Sequence, residues 1–187
     1  MALRPGLRIG LNTRPHVDVP VDNSAIAATE SMARVLEELG HEVVEAKPAI
    51  NHINRAFGDF YQDYDVYLTP TTAGIAPEIG ANSRPAAISV VEACIRSLHL
   101  GRLVLKSGLL QATFRDSVAP VPFTQLANLS GLPSISLPPF QDENSGLPVG
   151  VMLTAALGRD ASLLQLARQV EIARPWIDRY PFVRILP

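Results

Sequence analysis

Short apolar segments alternate with amphipathic segments along this chain of 187 residues. Leu7 to Asn12 (LRIGLN) is short, mostly apolar and bounded by turn residues, which predicts a buried strand. Apolar residues then recur at helical spacing up to Gly40, and Asp22 or Asn23 can cap this helix because a side-chain oxygen there accepts from free N–H groups. His41 to Ala46 predicts a second strand. A strand–helix–strand unit of this kind favours a right-handed parallel crossover.

The rest of the chain continues the alternation. The predicted helices are Pro48 to Tyr64, Ala86 to Phe114, Phe123 to Leu129 and a last helix capped by Asp160; the predicted strands are Val66 to Thr69, Ser134 to Leu137 and Val149 to Thr154; and Thr71 to Pro85 is predicted as a loop. The inner face of the last helix is expected to carry Leu163, Leu164, Ala167 and Val170. Alternating helices and strands indicate an α/β protein with a mixed, mostly parallel open sheet and helices on both faces.

Composition predicts one globular domain over residues 1–187. Hydrophobic residues make up 47% of the chain, which is close to the average of globular proteins. The net charge of −2 comes without a basic stripe, so we expect no nucleic-acid partner. No apolar run approaches the roughly 18 residues of a membrane span, so no membrane partner is expected. One cysteine excludes an intrachain disulfide and fits a reducing compartment, so a cytoplasmic location is expected.

Motifs that bind cofactors or metals are missing from the sequence. It contains neither of the glycine-rich phosphate-binding patterns, and Gly6 and Gly10 are interpreted as turn residues beside the first strand. Its histidines are His16, His41, His52 and His99, and none has a second ligand at metal-binding spacing. We therefore predict no cofactor and no metal.

Candidates for nucleophilic or acid–base chemistry also have simpler explanations. Cys94 lies among apolar residues of a predicted helix and is interpreted as a buried side chain. Lys106 and Ser107 are adjacent, and neighbouring residues on a helix point in different directions. The acidic residues before the third strand are interpreted as a solvated link; they are Asp59, Asp63 and Asp65. No catalytic residue is predicted in this chain.

Several segments nevertheless resemble one family, in the same order. These segments are YDVYLTPTTAGIAPEIG (Tyr64 to Gly80), PFTQLANLSGLPSISLP (Pro122 to Pro138) and GLPVGVMLTAALGRDASLLQLARQVEIARPW (Gly146 to Trp176). They are similar to the C-terminal portion of the amidase-signature family. LRIGLNT and LEELGHEVVEA resemble the strand–helix–strand that follows the catalytic region in that family. The resemblance covers most of the chain, and it implies part of the amidase-signature fold.

The resemblance also implies what is missing. The family uses a nucleophilic serine, a second serine in a cis linkage and a lysine base, in a Gly/Ser-rich region N-terminal to the matched segments. This sequence contains no Ser-Ser pair and no Gly-Gly-Ser run. It is therefore expected to be a C-terminal fragment, inactive alone. Between Ala46 and Tyr64 it is also shorter than the family usually is.

Three threonines are candidates for the wall of a substrate pocket. Thr71 and Thr72 follow a strand, and ligands of open α/β sheets gather at the carboxyl ends of strands. Thr124 matches a position that lines the acyl-binding side of the pocket in some relatives. Each has a structural alternative, which is loop capping for Thr71 and Thr72 and first-turn bonding for Thr124.

Two hypotheses of function follow. In the first, the chain belongs to a hydrolase of carbon–nitrogen amide bonds and meets a small-molecule amide once the missing half completes the site. In the second, it is a non-catalytic binding or assembly module derived from an amidase. Apolar surface left uncovered by a missing half predicts self-association, by surface contact or by exchange of elements between chains.

Overall fold

The structure is a computed structural model that describes residues 6–50, 52–80 and 117–179. The chain divides into two compact units, one of residues 1–75 and 121–187 and the other of residues 76–120. The expectation of a single domain stays a prediction. In the second unit, residues 76–80 and 117–120 are described, and Val118 is buried.

Some predictions fall outside the described residues. They concern the helix from Ala86 to Phe114 and the side chains of Cys94, His99, Lys106 and Ser107.

The first unit contains every helix and strand named here. In chain order these are β1 (Arg8–Leu11), α1 (Asn23–Glu38), β2 (Glu42–Glu45), α2 (Ile53–Asp63), β3 (Val66–Pro70), α3 (Thr124–Ser130), β4 (Ser134–Gln141), β5 (Pro148–Ala155) and α4 (Asp160–Ala173), followed by a single 3-10 turn at Ile177–Arg179. Each of these helices and strands lies where the sequence predicts one, although β4 continues past its predicted end at Leu137.

Helix ends follow the predicted chemistry. The carboxylate of Asp22 accepts from the backbone N–H of Ser24 at 2.7 Å, so Asp22 is the N-cap of α1. Gly40, just after α1, has a φ of +87°, and Gly131 ends α3 with a φ of +69°. Side chains with a Cβ are strained in this left-handed conformation, so glycine defines both helix ends.

The sheet has the strand order β2-β1-β3-β5-β4. Strand β1 pairs in parallel with β2 and with β3, whereas β5 pairs antiparallel with β3 and with β4. The α/β class and the mixed sheet are therefore confirmed, with parallel and antiparallel pairings equally represented among the described strands.

A β-bulge interrupts the pairing of β4 with β5. Leu137 pairs with Val151 and Phe140 with Val149, so Pro138 and Pro139 together lie opposite Gly150 alone. Proline has no N–H to donate, and it is tolerated at bulges and at the edge of a sheet. The bulge thus allows β4 to run past two prolines.

Helices cover both faces of the sheet, as predicted. On one face, Leu68 and Leu153 pack with Met32 and Leu36 of α1 and with Leu166 of α4. On the other face, one cluster joins α2, β3 and α3 through Phe57, Phe60, Tyr67 and Leu126. Successive strand residues point to opposite faces, which is why neighbours such as Tyr67 and Leu68 belong to different clusters. Full burial of a side chain as large as leucine stabilises a fold by about 1.5–3 kcal/mol.

The inner face of α4 differs by one residue from the prediction. Leu164 is 62% exposed, whereas Leu166 is fully buried. The spacing of Leu163, Leu166 and Val170 follows one helical face, and Leu164 lies about 100° around the helix from Leu163.

The capping prediction for α4 is also wrong. Asp160 is the first helical residue, and the N-cap is Arg159, which makes no side-chain capping bond.

Gly10 is part of β1 and not a turn residue. A Cβ placed on Gly10 would lie 2.5 Å from the ring atom Cζ of Phe60. The ring of Phe60 therefore packs directly on the strand backbone, and only glycine leaves the room for it.

Candidate functional site

The carboxyl ends of three strands meet at one edge of the sheet. Because β1, β2 and β3 are parallel, the residues that follow them, including Asn12, Lys47 and Thr71, come to the same edge. The amino end of β5 also lies there, since Pro70 pairs with Val151. This edge is where the sequence places the candidates Thr71 and Thr72.

Thr71 extends the sheet beyond the end of β3. Its backbone N–H donates to the carbonyl of Gly150 at 3.0 Å, and its Oγ1 lies 2.6 Å from Oγ of Ser136. Thr71 is half-buried and Ser136 is exposed. Two hydroxyls from β4 and the end of β3 thus meet over β5, which lies between them.

Gly150 is the residue beneath this hydroxyl pair. A Cβ added there would lie 2.9 Å from Oγ of Ser136 and 3.0 Å from Oγ1 of Thr71. Such distances are shorter than an ordinary contact, so the pair can close over β5 only because residue 150 has no side chain. Glycine in a strand suggests close approach of a second backbone, but here two side chains make the approach.

A buried hydroxyl lies beside the pair. Thr69 points to the same face as Thr71, because the two residues are separated by one position along the strand. Thr69 and Ser136 both pair with Met152, so all three lie in one row across the sheet. Thr69 is fully buried, and its Oγ1 has no hydrogen-bond partner within the described ranges.

The neighbouring row carries a second hydroxyl pair. Oγ of Ser134 lies 2.9 Å from Oγ1 of Thr154. The two residues are cross-strand partners in β4 and β5. This contact joins adjacent strands, as Ser–Thr pairs commonly do in sheets.

The other two candidate threonines bond to their own neighbourhoods. The hydroxyl of Thr72 donates to the carbonyl of Gly74 at 2.7 Å, and that of Thr124 donates to the carbonyl of Val121 at 3.2 Å. These are the loop-capping and first-turn bonds that the sequence offered as alternatives. A role for either residue in a substrate pocket stays a prediction, as it does for Thr71.

Asn12 and Tyr67 form a buried polar contact at the same edge. Nδ2 of Asn12 donates to the Tyr67 hydroxyl at 2.7 Å and to the Arg14 carbonyl at 2.8 Å, and Oδ1 of Asn12 accepts from the Arg14 N–H. Burial raises the pKa of Tyr67 to about 12, while the bond from Asn12 acts in the opposite direction. Tyr67 is therefore neutral at physiological pH.

His16 follows β1 and has a perturbed pKa. Burial lowers its pKa, and the positive charge of Lys47 lowers it further. Its Nε2 has no hydrogen-bond partner in the described part of the chain. No group of three potential metal ligands occurs among the described residues. The edge thus offers hydroxyls, an amide and an imidazole whose pKa is lowered.

The other two described histidines lie beside helix ends. His41 is buried at the corner between α1 and β2, where its Nδ1 accepts from the N–H of Leu7 and its Nε2 lies 3.1 Å from Oε1 of Gln169. His52 is exposed at the start of α2.

A separate groove of about 530 Å³ lies beside the turn between β4 and β5. Its apolar wall is formed by Pro138, Leu147, Pro148 and Trp176. None of the three candidate threonines lines it.

Sequence reasoning missed Ser136 and Thr69 as parts of the edge. The signal was the S-I-S alternation in β4, which places Ser134 and Ser136 on the face opposite Ile135. The pairing register that brings Ser136 over Gly150 depends on the bulge, which the sequence pattern does not reveal.

Comparison with known proteins identifies the family. Residues 49–164 match the sequence profile of the family described as Amidase. The chain is 35% identical, over 136 residues, to the protein named "Putative amidase AmiC" of Mycobacterium leprae (strain TN), covering 73% of this chain and 24% of that protein. It is 31% identical, over 241 residues, to the 6-aminohexanoate-cyclic-dimer hydrolase of Pseudomonas sp. (strain NK87), covering 95% of this chain and 46% of that enzyme.

Structural similarity agrees with the sequence match. A solved structure of 6-aminohexanoate cyclic dimer hydrolase complexed with substrate superposes with a TM-score of 0.64 at 25% identity, covering 95% of this chain and 47% of that one. The chain therefore belongs to the amidase family, as its resemblance to the amidase signature indicated.

Length sets this chain apart from these relatives. It spans less than half of each of them. The match to the hydrolase also extends over 241 positions, more than the 187 residues of this chain, so the hydrolase contains segments that this chain lacks.

Among the described residues, no helix is long and apolar enough to cross a membrane.

Proposed function

We propose that this chain supplies part of the substrate-pocket wall of an amide hydrolase and is inactive alone, with the catalytic serines and lysine supplied by a segment outside it. One observation carries the proposal. Nearly the whole chain matches less than half of a 6-aminohexanoate-cyclic-dimer hydrolase, yet the chain contains no Ser-Ser pair.

The substrate in this proposal is a small amide. The relative with the matching structure is, by its name, a hydrolase of 6-aminohexanoate cyclic dimer, and the edge described above offers hydroxyl groups. Amide hydrolysis by a serine needs a base and donors for the developing oxyanion. This chain would contribute binding and orientation, and the missing segment would contribute the chemistry.

Two preparations test this proposal. The first is the purified chain, which should release no product from aliphatic amides, aryl amides or the 6-aminohexanoate cyclic dimer. The second is a fusion of this chain to the part of the Pseudomonas hydrolase that it does not match, with that part alone as the control. Turnover by the fusion and by neither component supports the proposal, and turnover by the chain alone contradicts it.

The gene supplies an independent test. The DNA upstream of Met1 is read for an in-frame Gly/Ser-rich segment that carries two serines and a lysine. Finding such a segment supports the hypothesis that this chain is part of an enzyme. A genuine start codon without a neighbouring catalytic gene favours the non-catalytic module.

Self-association and a cytoplasmic location are further parts of the proposal. Large apolar side chains are exposed on and beside α4, namely Leu157, Leu164 and Ile172, with exposed fractions of 79%, 62% and 67%. Leu164 and Ile172 are about two turns apart and lie about 80° from each other around the helix. Such surfaces favour association with a second chain when they form a contiguous patch.

A further inference from the structure

We propose that the hydroxyl pair of Thr71 and Ser136 binds a carboxamide whose carbonyl and N–H point to the same side, such as a primary amide. This inference rests on the proposed function, because it names the group that the pocket wall recognises. It deepens that proposal from a general amide to one geometry of amide.

The hydrogen-bonding capacity of the pair determines what it can bind. Each hydroxyl has one O–H donor and two acceptor lone pairs. The bond of 2.6 Å between the two oxygens uses one donor and one lone pair. One donor and three lone pairs remain, so the pair can donate to one atom of a ligand and accept from another.

A primary carboxamide has the complementary arrangement. Its oxygen and its NH₂ group are attached to the same carbon, and one N–H points to the same side as the carbonyl. A secondary amide in the usual trans form directs its N–H and its carbonyl to opposite sides, so it can engage only one of the two hydroxyls well. The pair therefore favours primary amides and the cis amides of small rings.

The same count discriminates against a carboxylic acid product. A carboxylate has two acceptor oxygens and no donor, and the pair has only one free O–H. The carboxylate can engage both hydroxyls only if they give up their mutual bond and both donate to it. The pair should bind an amide more tightly than the acid formed from it.

The surroundings hold the pair in place before any ligand arrives. The N–H of Thr71 is fixed to the carbonyl of Gly150, Gly150 leaves the space that the hydroxyls occupy, and the bulge at Pro138 and Pro139 lies opposite it. Bulges often occur next to active sites, where they redirect a side chain.

A second, independent observation points to a ligand. The hydroxyl of Thr69 is fully buried and has no hydrogen-bond partner among the described residues, although buried polar groups are normally paired. It lies in the row of Ser136, on the face of the pair. A polar ligand group that packs on this face of the sheet beside Thr69 would satisfy it.

The experiment is a titration of the full chain, labelled with ¹⁵N, with benzamide, N-methylbenzamide and benzoate. The amide resonances of Thr71 and Gly150 are followed by NMR. Benzamide should shift these resonances. Its Kd should be at least about 3-fold lower than the Kd of N-methylbenzamide or of benzoate, because each of those ligands gains one hydrogen bond fewer on binding.

Variants identify the hydroxyls responsible. Thr71→Val and Ser136→Ala should each weaken benzamide binding by about 3- to 10-fold. Thr71→Ser, which keeps the hydroxyl, should bind as the parent does. Ser134→Ala removes the hydroxyl of the neighbouring pair and should leave the Kd unchanged.

The dispersed amide spectrum of each variant reports whether it is folded. Equal affinity for the three ligands, no binding of benzamide, or loss of binding in Ser134→Ala would overturn the inference. These outcomes do not depend on catalysis. If the fusion enzyme hydrolyses amides but benzamide does not bind to the hydroxyl pair, this inference is refuted and the proposed function is left intact.

Discussion

Thr71 and Ser136 are 65 residues apart in the sequence, yet their hydroxyl oxygens lie 2.6 Å apart above the backbone of Gly150. The contact spans three strands, because β5 lies between β3 and β4. It depends on a strand end, a bulge and a residue without a side chain. Each of these can be changed separately.

Replacing Gly150 by alanine should destabilise the fold by about 1–3 kcal/mol, because the new Cβ collides with both hydroxyls and overpacks the site. Urea unfolding measures the change. Gly58→Ala is the matched control. Gly58 lies in α2, and an added Cβ there meets nothing within 4 Å. Alanine at this position should stabilise the helix by about 0.5–1 kcal/mol. Equal effects of the two substitutions would contradict the geometry.

Asn12→Ala should lower the free energy of unfolding by about 1–3 kcal/mol. The substitution leaves the buried Tyr67 hydroxyl and the Arg14 backbone without the amide that bonds them. Tyr67→Phe removes the other side of one of these bonds. A double-mutant cycle between the two positions should give a coupling of about 0.5–1.5 kcal/mol. Additive effects would mean that the 2.7 Å contact contributes nothing to stability.

Stability should fall as the pH rises above about 10. The ordinary pKa of tyrosine is about 10, and burial raises the pKa of Tyr67 to about 12 in the folded chain. Between these values the unfolded chain loses its proton first, so unfolding becomes more favourable. The contribution of Tyr67 is complete below pH 10 and is lost by about 1.4 kcal/mol per pH unit up to about pH 12.

Urea unfolding at pH 8 and pH 11 measures this loss. Tyr67→Phe should show a smaller decrease between the two values than the parent chain does. Burial also raises the pKa of Tyr61, which keeps part of the decrease in both proteins. An identical decrease in the parent and in Tyr67→Phe would show that Tyr67 ionises as an exposed tyrosine does.

Self-association should depend on the exposed face of α4. Light scattering of the purified chain should show a mass above that of the monomer, and Leu164→Gln with Ile172→Gln should shift it toward the monomer. Arg34→Gln, at an exposed polar position of α1, is the control and should have no effect. A clean monomer of the parent chain at high concentration counts against the proposal.

The fold could be read from the sequence because its signals are local. The cap at Asp22, the left-handed glycines at 40 and 131, and the apolar spacing of α1 each act within a few residues, and all are confirmed. Leu164 shows the limit of that approach. A single apolar residue adjacent to a helical stripe looks like part of it until packing selects the face.

The site was less predictable, for a physical reason. Thr71 could be placed at a strand end from its sequence neighbours, but its partner Ser136 is fixed by strand register across two antiparallel pairings and a bulge. Gly150 could be recognised as a close-approach position, and only the register shows that two hydroxyls make the approach. Long-range register is set by tertiary packing, which a pattern of apolar residues along one segment does not encode.

The most direct test of the central claim uses a fluorophosphonate probe, which reacts with activated serines. The purified chain is incubated with an excess of the probe, and the intact mass is measured, with the fusion to the unmatched part of the Pseudomonas hydrolase treated in parallel. The account predicts an unmodified mass for the chain and a single added probe on the fusion. Stoichiometric labelling of the chain alone would contradict it, because it would show that an activated serine lies within these 187 residues.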